Sequence, residues 1–262
     1  MTPGRPLVLV LEHIEHETAG AFAPALEARG IELLSVAADR EPLPDAQAFD
    51  GILAMGGPMG AGDDELLPWL ASEKAWIRAA VRGGTPFFGV CLGAQLLAAS
   101  LGARVWRGPQ PEIGVARVER TAGGARDPVF SGCPPRMRVL QWHGDSFDLP
   151  RGARRLWTST AYVNQAFRAG RCAYGVQFHL EATADMVRAW AQLPAYRDDL
   201  DGGAGLDDLL VSLRRHEQKI VECADETIAR WADCHVTHAG RFTPVAGVGI
   251  RQISSEGPRR RG

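Results

Sequence analysis

The amino-acid sequence predicts an α/β fold, with an open and mostly parallel sheet, an antiparallel extension of that sheet, and helices on both faces. Short apolar strands alternate with helix-like segments between residues 7 and 101, which is typical of parallel strands joined by helices. Between residues 105 and 177, β-type segments follow one another and are separated by turn residues. The chain has 262 residues, which is long enough to bury one substantial core.

Four strands and three helices make up the predicted parallel part. The strands are short and apolar, and they cover Leu7–Leu11, Ile31–Val36, Ile52–Met55 and Pro86–Val90. The helices show helical spacing and are each followed by glycine, and they cover Ala19–Arg29, Leu66–Arg82 and Leu92–Leu101. This order predicts a parallel sheet with helices on both faces.

The β-rich part is predicted to extend the same sheet with antiparallel strands. Its segments are Ile113–Val118, Met137–Gln141, Ala161–Phe167 and Ala173–Phe178. Helices return at Asp185–Leu193 and Leu206–Trp231, the second of which has its apolar residues mostly on one face. Asp-Asp and Gly-Gly pairs predict that residues 194–205 between them form a loop.

We therefore predict a single domain over residues 1–235. Its motifs fall within residues 7–193, and its C-terminal helix covers residues 206–231. The remaining residues 236–262 are rich in Gly and Arg and are predicted to form a frayed tail.

Composition argues against several classes of partner and location. The net charge of −2 gives no indication of nucleic acid or an anionic membrane as a partner. No apolar run reaches membrane-spanning length, and the first residues lack the apolar core of a signal peptide. We expect a cytoplasmic protein, because a reducing compartment also suits free thiols.

Metal and cofactor sites are not indicated. The five cysteines are odd in number and form no CxxC pair, which argues against metal frameworks and disulfide scaffolds. His13 and His16 have helical spacing, but no acidic or cysteine partner stands at ligand spacing. No GxxxxGK[ST] signature or other Gly-rich nucleotide loop occurs. We therefore expect no metal and no cofactor.

The segment Gly89-Val-Cys91-Leu-Gly93 lies where an apolar strand runs into a helix. Two glycines around a nucleophile at such a turn are typical of a nucleophile elbow. The new helix directs its N-terminal amides and the positive end of its dipole toward the thiol, which favours a thiolate and a developing oxyanion. This segment predicts acyl-transfer chemistry at Cys91.

A base and an orienting acceptor for that thiol are predicted at the end of the last strand. His179 and Glu181 follow the strand Ala173–Phe178 with a spacing of two residues, which places both side chains on one side. Glu181 can then accept a hydrogen bond from one imidazole nitrogen while the other nitrogen faces the thiol.

These motifs resemble the class I glutamine amidotransferase family, the glutaminase module of GMP synthetase, carbamoyl phosphate synthetase and anthranilate synthase. The resemblance covers roughly residues 7–193 and rests on ordered blocks. The blocks are Gly56-Gly57-Pro58, Gly89-Val-Cys91-Leu-Gly93-Ala-Gln95, Gln141-Trp-His143-Gly144-Asp145, Asn164-Gln-Ala-Phe-Arg168 and Gly175-Val-Gln-Phe-His179-Leu-Glu181. The family fold it implies is flavodoxin-like, and the chain is most similar to free-standing glutaminase-like members of the GMP synthase type.

The resemblance implies a role for each site residue. Cys91 would attack the glutamine side-chain amide to give a γ-glutamyl thioester and ammonia, with His179 handling protons and Glu181 orienting it. The amides of Gly57 and Leu92 would bind the oxyanion. Gln95 and the backbone of His143, Gly144 and Asp145 would hold the substrate, although His143 alone is equally consistent with a structural histidine.

Two positions depart from the family pattern. Leu180 stands where the family most often has proline, and the His-to-Glu spacing is kept. Tyr162-Val163 stands where many free-standing relatives have Cys-Pro, which bears on substrate choice if that segment borders the acceptor side.

The sequence leaves three functions open. The first is a glutamine amidotransferase whose ammonia passes to a separate synthetase subunit or is simply released, since no ammonia-consuming domain is evident. The second is a γ-glutamyl peptidase or hydrolase that acts on γ-glutamyl conjugates. The third is a non-catalytic regulatory or binding subunit, which an intact Cys-His-Glu set argues against. A general α/β-hydrolase is disfavoured because its acid precedes the histidine. An oligomer is left open.

Overall fold

The computed structural model describes residues 4–201 and 205–237, which form one nine-stranded sheet covered by helices on both faces. The strands are β1 (Leu7–Glu12), β2 (Glu32–Ala37), β3 (Gly51–Ala54), β4 (Phe87–Val90), β5 (Val105–Arg120), β6 (Arg136–Phe147), β7 (Arg154–Thr158), β8 (Ala166–Ala169) and β9 (Ala173–Val176). The helices are α1 (Phe22–Glu27), α2 (Trp69–Arg82), α3 (Leu92–Ser100), α4 (Ala122–Ala125), α5 (Ala184–Trp190), α6 (Pro194–Asp201) and α7 (Leu206–Trp231), with a 3₁₀ turn at Ala46–Ala48 and a π-helical turn at Ala232–Val236. The strand order is β2-β1-β3-β4-β9-β8-β7-β5-β6. The predicted fold class is confirmed.

Strands β2, β1, β3, β4 and β9 are parallel, so their carboxyl ends meet at one edge of the sheet. Alternate side chains of β1 face two different cores. Val8 and Val10 pack with α1, α5 and α7, whereas Leu9 and Leu11 pack with α2 and α3. Ligands of open parallel sheets bind outside the carboxyl ends of the strands, so this edge is where a site is expected.

Strands β8, β7, β5 and β6 extend the sheet in antiparallel fashion. The long β5–β6 hairpin returns toward the parallel half. There, Leu140 of β6 forms an antiparallel bridge with His179, whose amide donates to the Leu140 carbonyl at 2.8 Å. This bridge brings residues 141–145 beside the ends of β4 and β9.

The prediction of a loop over residues 194–205 is wrong in its first part, because α6 covers Pro194–Asp201. Proline suits the start of a helix, where its missing N–H leaves no bond unmade. Tyr196 and Leu200 lie four residues apart and are both buried. The Tyr196 ring contacts Trp142 and Trp190, with centroids 5.1 and 6.0 Å away. Tertiary packing therefore stabilises a helix that the polar composition concealed.

Two further elements differ from prediction. Strand β7 was not predicted, because Arg154 and Arg155 mask the buried pair Leu156 and Trp157. The strand predicted at 161–167 begins only at Ala166, since a turn closed by Ser159 and Tyr162 precedes it.

The first helix is also shorter than predicted: α1 covers only Phe22–Glu27 of the predicted Ala19–Arg29. Gly20 adopts a positive φ of 47° just before it, and the amide of Ala21 donates to the Glu181 carbonyl at 2.8 Å. The segment before the helix thus bonds to the residues that follow β9, and the helix begins only after it.

The single domain over residues 1–235 stays a prediction. The predicted tail lies outside the described residues beyond Thr237. In the described ranges, no helix combines the length and the apolar character needed to cross a membrane.

Candidate active site

Cys91 lies at the end of β4 in a strained turn that its flanking glycines make possible. Its φ is +49°, and it is the only non-glycine residue with a positive φ in the described part of the chain. A Cβ at Gly89 would lie 2.5 Å from the Gly93 carbonyl, and one at Gly93 would lie 2.1 Å from the Ala54 carbonyl oxygen. The left-handed region costs roughly 1–2 kcal/mol for an ordinary residue. The packed glycines hold Cys91 in that conformation at the start of α3.

The Cys91 thiol is almost enclosed and faces three groups. Its sulfur lies 3.7 Å from the Trp142 carbonyl oxygen and accepts a hydrogen bond from the Gln177 amide nitrogen at 3.6 Å. The third group is the His179 side chain, whose pKa is raised in part by the Cys91 sulfur beside it. The topology thus brings together the ends of β4 and β9 and residue 142 of β6.

His179 and Glu181 form a buried pair beyond the end of β9. Nδ1 of His179 lies 2.7 Å from Oε1 of Glu181, which accepts its hydrogen bond, so the other ring nitrogen is left for Cys91. Burial lowers the pKa of His179, but the Glu181 charge and the Cys91 sulfur outweigh burial and hold the pKa well above its ordinary value. This environment therefore favours the protonated imidazolium, which is the form that can donate a proton.

Two backbone amides beside Cys91 are free to bind an anionic oxygen. Gly57 follows β3, Leu92 opens α3, and neither N–H has an acceptor among the residues that the structure describes. A Cβ at Gly57 would lie 2.9 Å from Leu92 Cδ2, so the two residues are in contact. Paired donors next to a nucleophile are the arrangement that stabilises an oxyanion.

A buried ion pair braces the loop that carries Gly57. Nδ1 of His13 lies 3.0 Å from the Gly56 carbonyl oxygen, and Nε2 lies 3.0 Å from Oε1 of Glu73. Both nitrogens face acceptors, so the imidazolium satisfies both. Burial lowers the pKa of His13, but Glu73 and the Gly56 carbonyl together hold it above its ordinary value. His13 is thus a structural support of this loop.

His13 and His16 do not share a metal site. His13 is buried and has both ring nitrogens occupied, whereas His16 is exposed. Within residues 4–201 and 205–237, no group of three or more His, Cys, Asp or Glu side chains is arranged to hold a metal ion.

Gln95 and Asp145, both predicted to contact substrate, line the same cleft as Cys91. Nε2 of Gln95 donates to the Asp145 carbonyl at 3.4 Å and to Oε1 of Gln177 at 3.2 Å. Gln177 therefore links Gln95 to the Cys91 sulfur, so one amide network underlies the Cys91 end of the cleft.

His143 and Gly144 line the cleft as well, but they differ in what they offer a ligand. The ring of His143 is committed to protein contacts, with Nδ1 2.9 Å from the Asp145 carbonyl and Nε2 3.2 Å from Oε2 of Glu112. Gly144 makes room for Arg107, since a Cβ there would lie 2.3 Å from Nη1 of Arg107. Both ring nitrogens of His143 are thus occupied by protein contacts, and a role of this residue in holding substrate stays a prediction.

The cleft has a volume of about 370 Å³, which lies within the usual range for small-molecule sites. One wall is the loop 57–60, another is the segment 142–145, and the third is α6. From α6, Tyr196 and Asp199 face the cleft, and Oδ2 of Asp199 accepts a hydrogen bond from the Trp142 indole at 3.2 Å. The wrongly predicted loop is thus the helix that covers the site.

Sequence reasoning missed five residues of this region. They are Glu17, Arg107, Gln177, Tyr196 and Asp199. Gln177 could have been found, because it stands two residues before His179, on the predicted strand that His179 follows. Glu17 comes from a loop, Arg107 from the start of β5, and Tyr196 and Asp199 from α6, and no periodicity or motif marks any of them.

The segment Tyr162-Val163, which departs from the family pattern, lies behind the cleft wall. The Tyr162 ring packs edge-on against His143, with centroids 5.0 Å apart, and its hydroxyl donates to the Gln110 carbonyl. Val163 is exposed. The departure therefore acts on the cleft through His143.

Comparisons with known proteins agree with one another. The family model for glutamine amidotransferase class-I matches residues 19–187. The Salmonella typhimurium protein YfeJ, described as glutamine amidotransferase-like, is 33% identical over 185 residues, which are 69% of this chain and 77% of YfeJ. A glutamine-hydrolyzing GMP synthase of Thermomicrobium roseum is 39% identical over 132 residues, which are 50% of this chain and 23% of that protein. The crystal structure of a Thermotoga maritima glutamine amidotransferase is 33% identical, with a TM-score of 0.77 over 88% of this chain and 99% of its own.

Proposed function

The chain belongs to the class I glutamine amidotransferase family, and from this premise we propose that it hydrolyses a γ-glutamyl amide, with glutamine as the preferred substrate. The observation that carries the proposal is that three sets of chemical groups lie together at one end of the cleft. These are the thiol of Cys91, the His179–Glu181 pair, and the unpaired amides of Gly57 and Leu92.

In the first half of the reaction, the Cys91 thiolate attacks the γ-carbonyl carbon, because the thiolate is the nucleophilic form. The carbonyl oxygen becomes an oxyanion and binds the amides of Gly57 and Leu92; removing one such donor typically costs about 10²–10³ in rate. The carbon–nitrogen bond then breaks, and His179 gives its proton to the leaving nitrogen. Ammonia leaves, and a γ-glutamyl thioester remains on Cys91.

In the second half, water hydrolyses the thioester. The now neutral His179 takes a proton from water as the oxygen attacks the carbonyl carbon. The carbon–sulfur bond breaks, glutamate leaves, and the Cys91 thiolate and the His179 imidazolium are restored. The sum is glutamine and water giving glutamate and ammonia.

Opposite charges at the cleft mouth suit an amino acid. Nη1 of Arg107 lies 3.5 Å from Oδ1 of Asp145, and both side chains line the cleft. Arg107 pairs with the α-carboxylate of the substrate and Asp145 with its α-ammonium group. This anchoring places the side-chain amide toward Cys91.

The proposed fate of the ammonia rests on how much of a relative's length this chain matches. The chain matches only 23% of the glutamine-hydrolyzing GMP synthase of Thermomicrobium roseum. A separate synthetase subunit is therefore the partner to test, in the cytoplasm that the sequence predicts. Without that partner, ammonia leaves into solvent.

A second candidate is hydrolysis of γ-glutamyl conjugates with a larger leaving amine. The cleft continues from Cys91 to Asp199 on α6, which leaves room beyond the scissile bond. The same chemistry then applies, and only the leaving amine differs.

One substrate panel tests these alternatives. Purified protein is incubated with glutamine and with γ-glutamyl dipeptides, and products are measured by mass spectrometry for the wild type and Cys91→Ala. Release of glutamate and ammonia by the wild type alone supports the glutaminase. Cleavage of dipeptides with glutamine untouched supports the conjugate hydrolase. Inertness toward all of them, with synthetase subunits added, supports a binding subunit and contradicts the proposal.

A further inference from the structure

Glu17 is a buried carboxyl group that the proposed reaction does not use. It follows β1 and is 2% exposed. Its Oε1 accepts a hydrogen bond from the Tyr196 hydroxyl of α6. Its Oε2 has no hydrogen-bond partner in the described part of the chain. A buried carboxylate with only one partner is expensive, so this position needs an explanation.

The free oxygen of Glu17 lies beside the imidazole of His179. Gly56 separates them: a Cβ on Gly56 would lie 1.9 Å from Oε2 of Glu17 and 3.3 Å from Cε1 of His179. Only glycine therefore fits at position 56, and its absent side chain lets the carboxyl group approach the ring.

The charged and titratable groups around Glu17 come from every element packed against it. His179 and Glu181 follow β9, His13 follows β1 and is paired with Glu73 of α2, and Tyr196 comes from α6. Glu17 thus lies between the acid–base histidine and the helix that covers the cleft.

We infer that Glu17 is a positioning residue that couples α6 to His179: its carboxylate stabilises the imidazolium, and its hydrogen bond to Tyr196 keeps α6 over the cleft. This inference rests on the proposed function, because it takes His179 as the group that moves protons. Glu17 does not touch substrate in this account. It acts through two other side chains: Tyr196, which lines the cleft, and His179, which moves protons.

The electrostatics explain why the coupling operates near neutral pH. Burial raises the pKa of Glu17 to about 7, although His179 and the Tyr196 hydrogen bond lower it, Glu181 raises it further and His13 lowers it. Above that pH, Glu17 is ionised and favours a protonated His179. Below it, Glu17 is neutral, and that support is lost.

The coupling also runs from α6 to the histidine. The Tyr196 hydroxyl favours the ionised form of Glu17, so loss of this hydrogen bond at constant burial shifts Glu17 toward its neutral form and removes its support for the imidazolium. By reciprocity, a protonated His179 favours the position of α6 seen in the structure, in which Tyr196 donates to Glu17. A ligand that packs against Tyr196 would therefore prepare the histidine for catalysis.

The test is the pH dependence of Cys91 alkylation by iodoacetamide, followed by peptide mapping between pH 5.5 and 9. A thiolate next to an imidazolium reacts faster than a thiol, so the rate reports the coupling without turnover. We expect the wild type to show a step of roughly threefold or more near pH 7. We expect Glu17→Gln, which keeps the acceptor for Tyr196, to lack it. Tyr196→Phe moves the step to higher pH, because Glu17 loses the hydrogen bond that favours its ionised form.

Glu15→Gln is the matched control. Glu15 is exposed and lies two residues before Glu17, so the substitution removes the same charge from a solvent-facing position. It should keep the wild-type step. An unchanged step in Glu17→Gln overturns the inference, as does an unchanged midpoint in Tyr196→Phe if Glu17→Gln does not fold. A merely structural Glu17 would lower stability and leave the midpoint where it is.

The same experiment separates this inference from the proposed function. If the wild type hydrolyses no γ-glutamyl substrate and its alkylation step disappears in Glu17→Gln, the function fails and the coupling stands. If the wild type hydrolyses glutamine and Glu17→Gln keeps the wild-type alkylation profile, the function stands and the coupling fails.

Discussion

The parallel half of the sheet and its antiparallel extension build the cleft in different ways. Gly57, Cys91 and His179 follow parallel strands. The loops around the first two are fixed by close packing at glycines, where an added Cβ would clash with neighbouring atoms. Asp145 and Tyr196 come from β6 and α6, and side-chain packing brings them to the cleft. We infer that the parallel half determines the rate of the chemistry, and that the extension with α6 determines which substrate binds.

The largest effect expected in the parallel half is that of Cys91→Ala. Because no other thiol in the described ranges acts on His179, we expect kcat to fall by roughly 10⁴-fold or more, with the fold unchanged. Glutamate release measures it. Cys234→Ala is the matched control, since Cys234 is exposed, and it should retain wild-type kcat. Glutamate release by Cys91→Ala would contradict the assignment of the nucleophile to the parallel half.

The next effect is that of Glu181→Gln. The substitution keeps the size of the side chain but removes the charge that orients His179 and holds its pKa high. We expect kcat to fall by about 10²–10⁴-fold while KM stays nearly constant. Steady-state kinetics measure both constants, with the exposed Glu222→Gln as control. A change confined to KM would contradict the assignment of rate to this half.

Arg107→Ala tests the opposite half with a smaller effect. Arg107 lines the cleft mouth and its side chain is 71% exposed, so its loss should remove a substrate contact without disturbing the fold. We expect KM for glutamine to rise about tenfold at nearly constant kcat. Arg104→Ala, on the same segment and exposed, is the control. A fall in kcat with KM unchanged would break the division between the two halves.

The smallest effect on turnover is expected from Glu17→Gln, whose main consequence is a change in stability with pH. The pKa of Glu17 is raised from 4.5 to about 7 by burial, so the folded state holds a proton that the unfolded chain loses in that interval. Wild-type stability should therefore fall as pH rises through this window, and a glutamine does not titrate.

We compare the free energy of unfolding of Glu17→Gln with that of the wild type at pH 4.5 and pH 8. The difference, variant minus wild type, is expected to be larger at pH 8 by up to about 3 kcal/mol. Urea unfolding at the two pH values measures it. Parallel pH dependences of the two proteins would show that Glu17 has an ordinary pKa and does not connect α6 with the parallel half.

The same division explains what could be predicted from the sequence. The parallel half was predictable because its strands are apolar, its helices end in glycine, and its motifs stand at strand ends. Cys91, His179 and Glu181 each follow a recognisable strand, so their meeting follows from the topology.

The extension and α6 were not predictable in the same way. Helix α6 is polar in composition, and it forms because Tyr196 packs on Trp142 and Trp190, which are distant in sequence or belong to another element. Glu17 and Arg107 carry no local pattern, and only the folded chain shows which charges face the cleft. Long-range side-chain packing is the information that the linear sequence does not display.

The measurement that tests the central claim most directly is a quenched-reaction mass analysis of the wild type and Cys91→Ala with glutamine. The wild type is expected to release glutamate and ammonia in equal amounts and to carry one γ-glutamyl group on the peptide that contains Cys91. Cys91→Ala is expected to show neither product nor adduct. Equal product release by the two proteins, or a γ-glutamyl group on any other residue, would contradict a reaction built on the thiol at the end of β4.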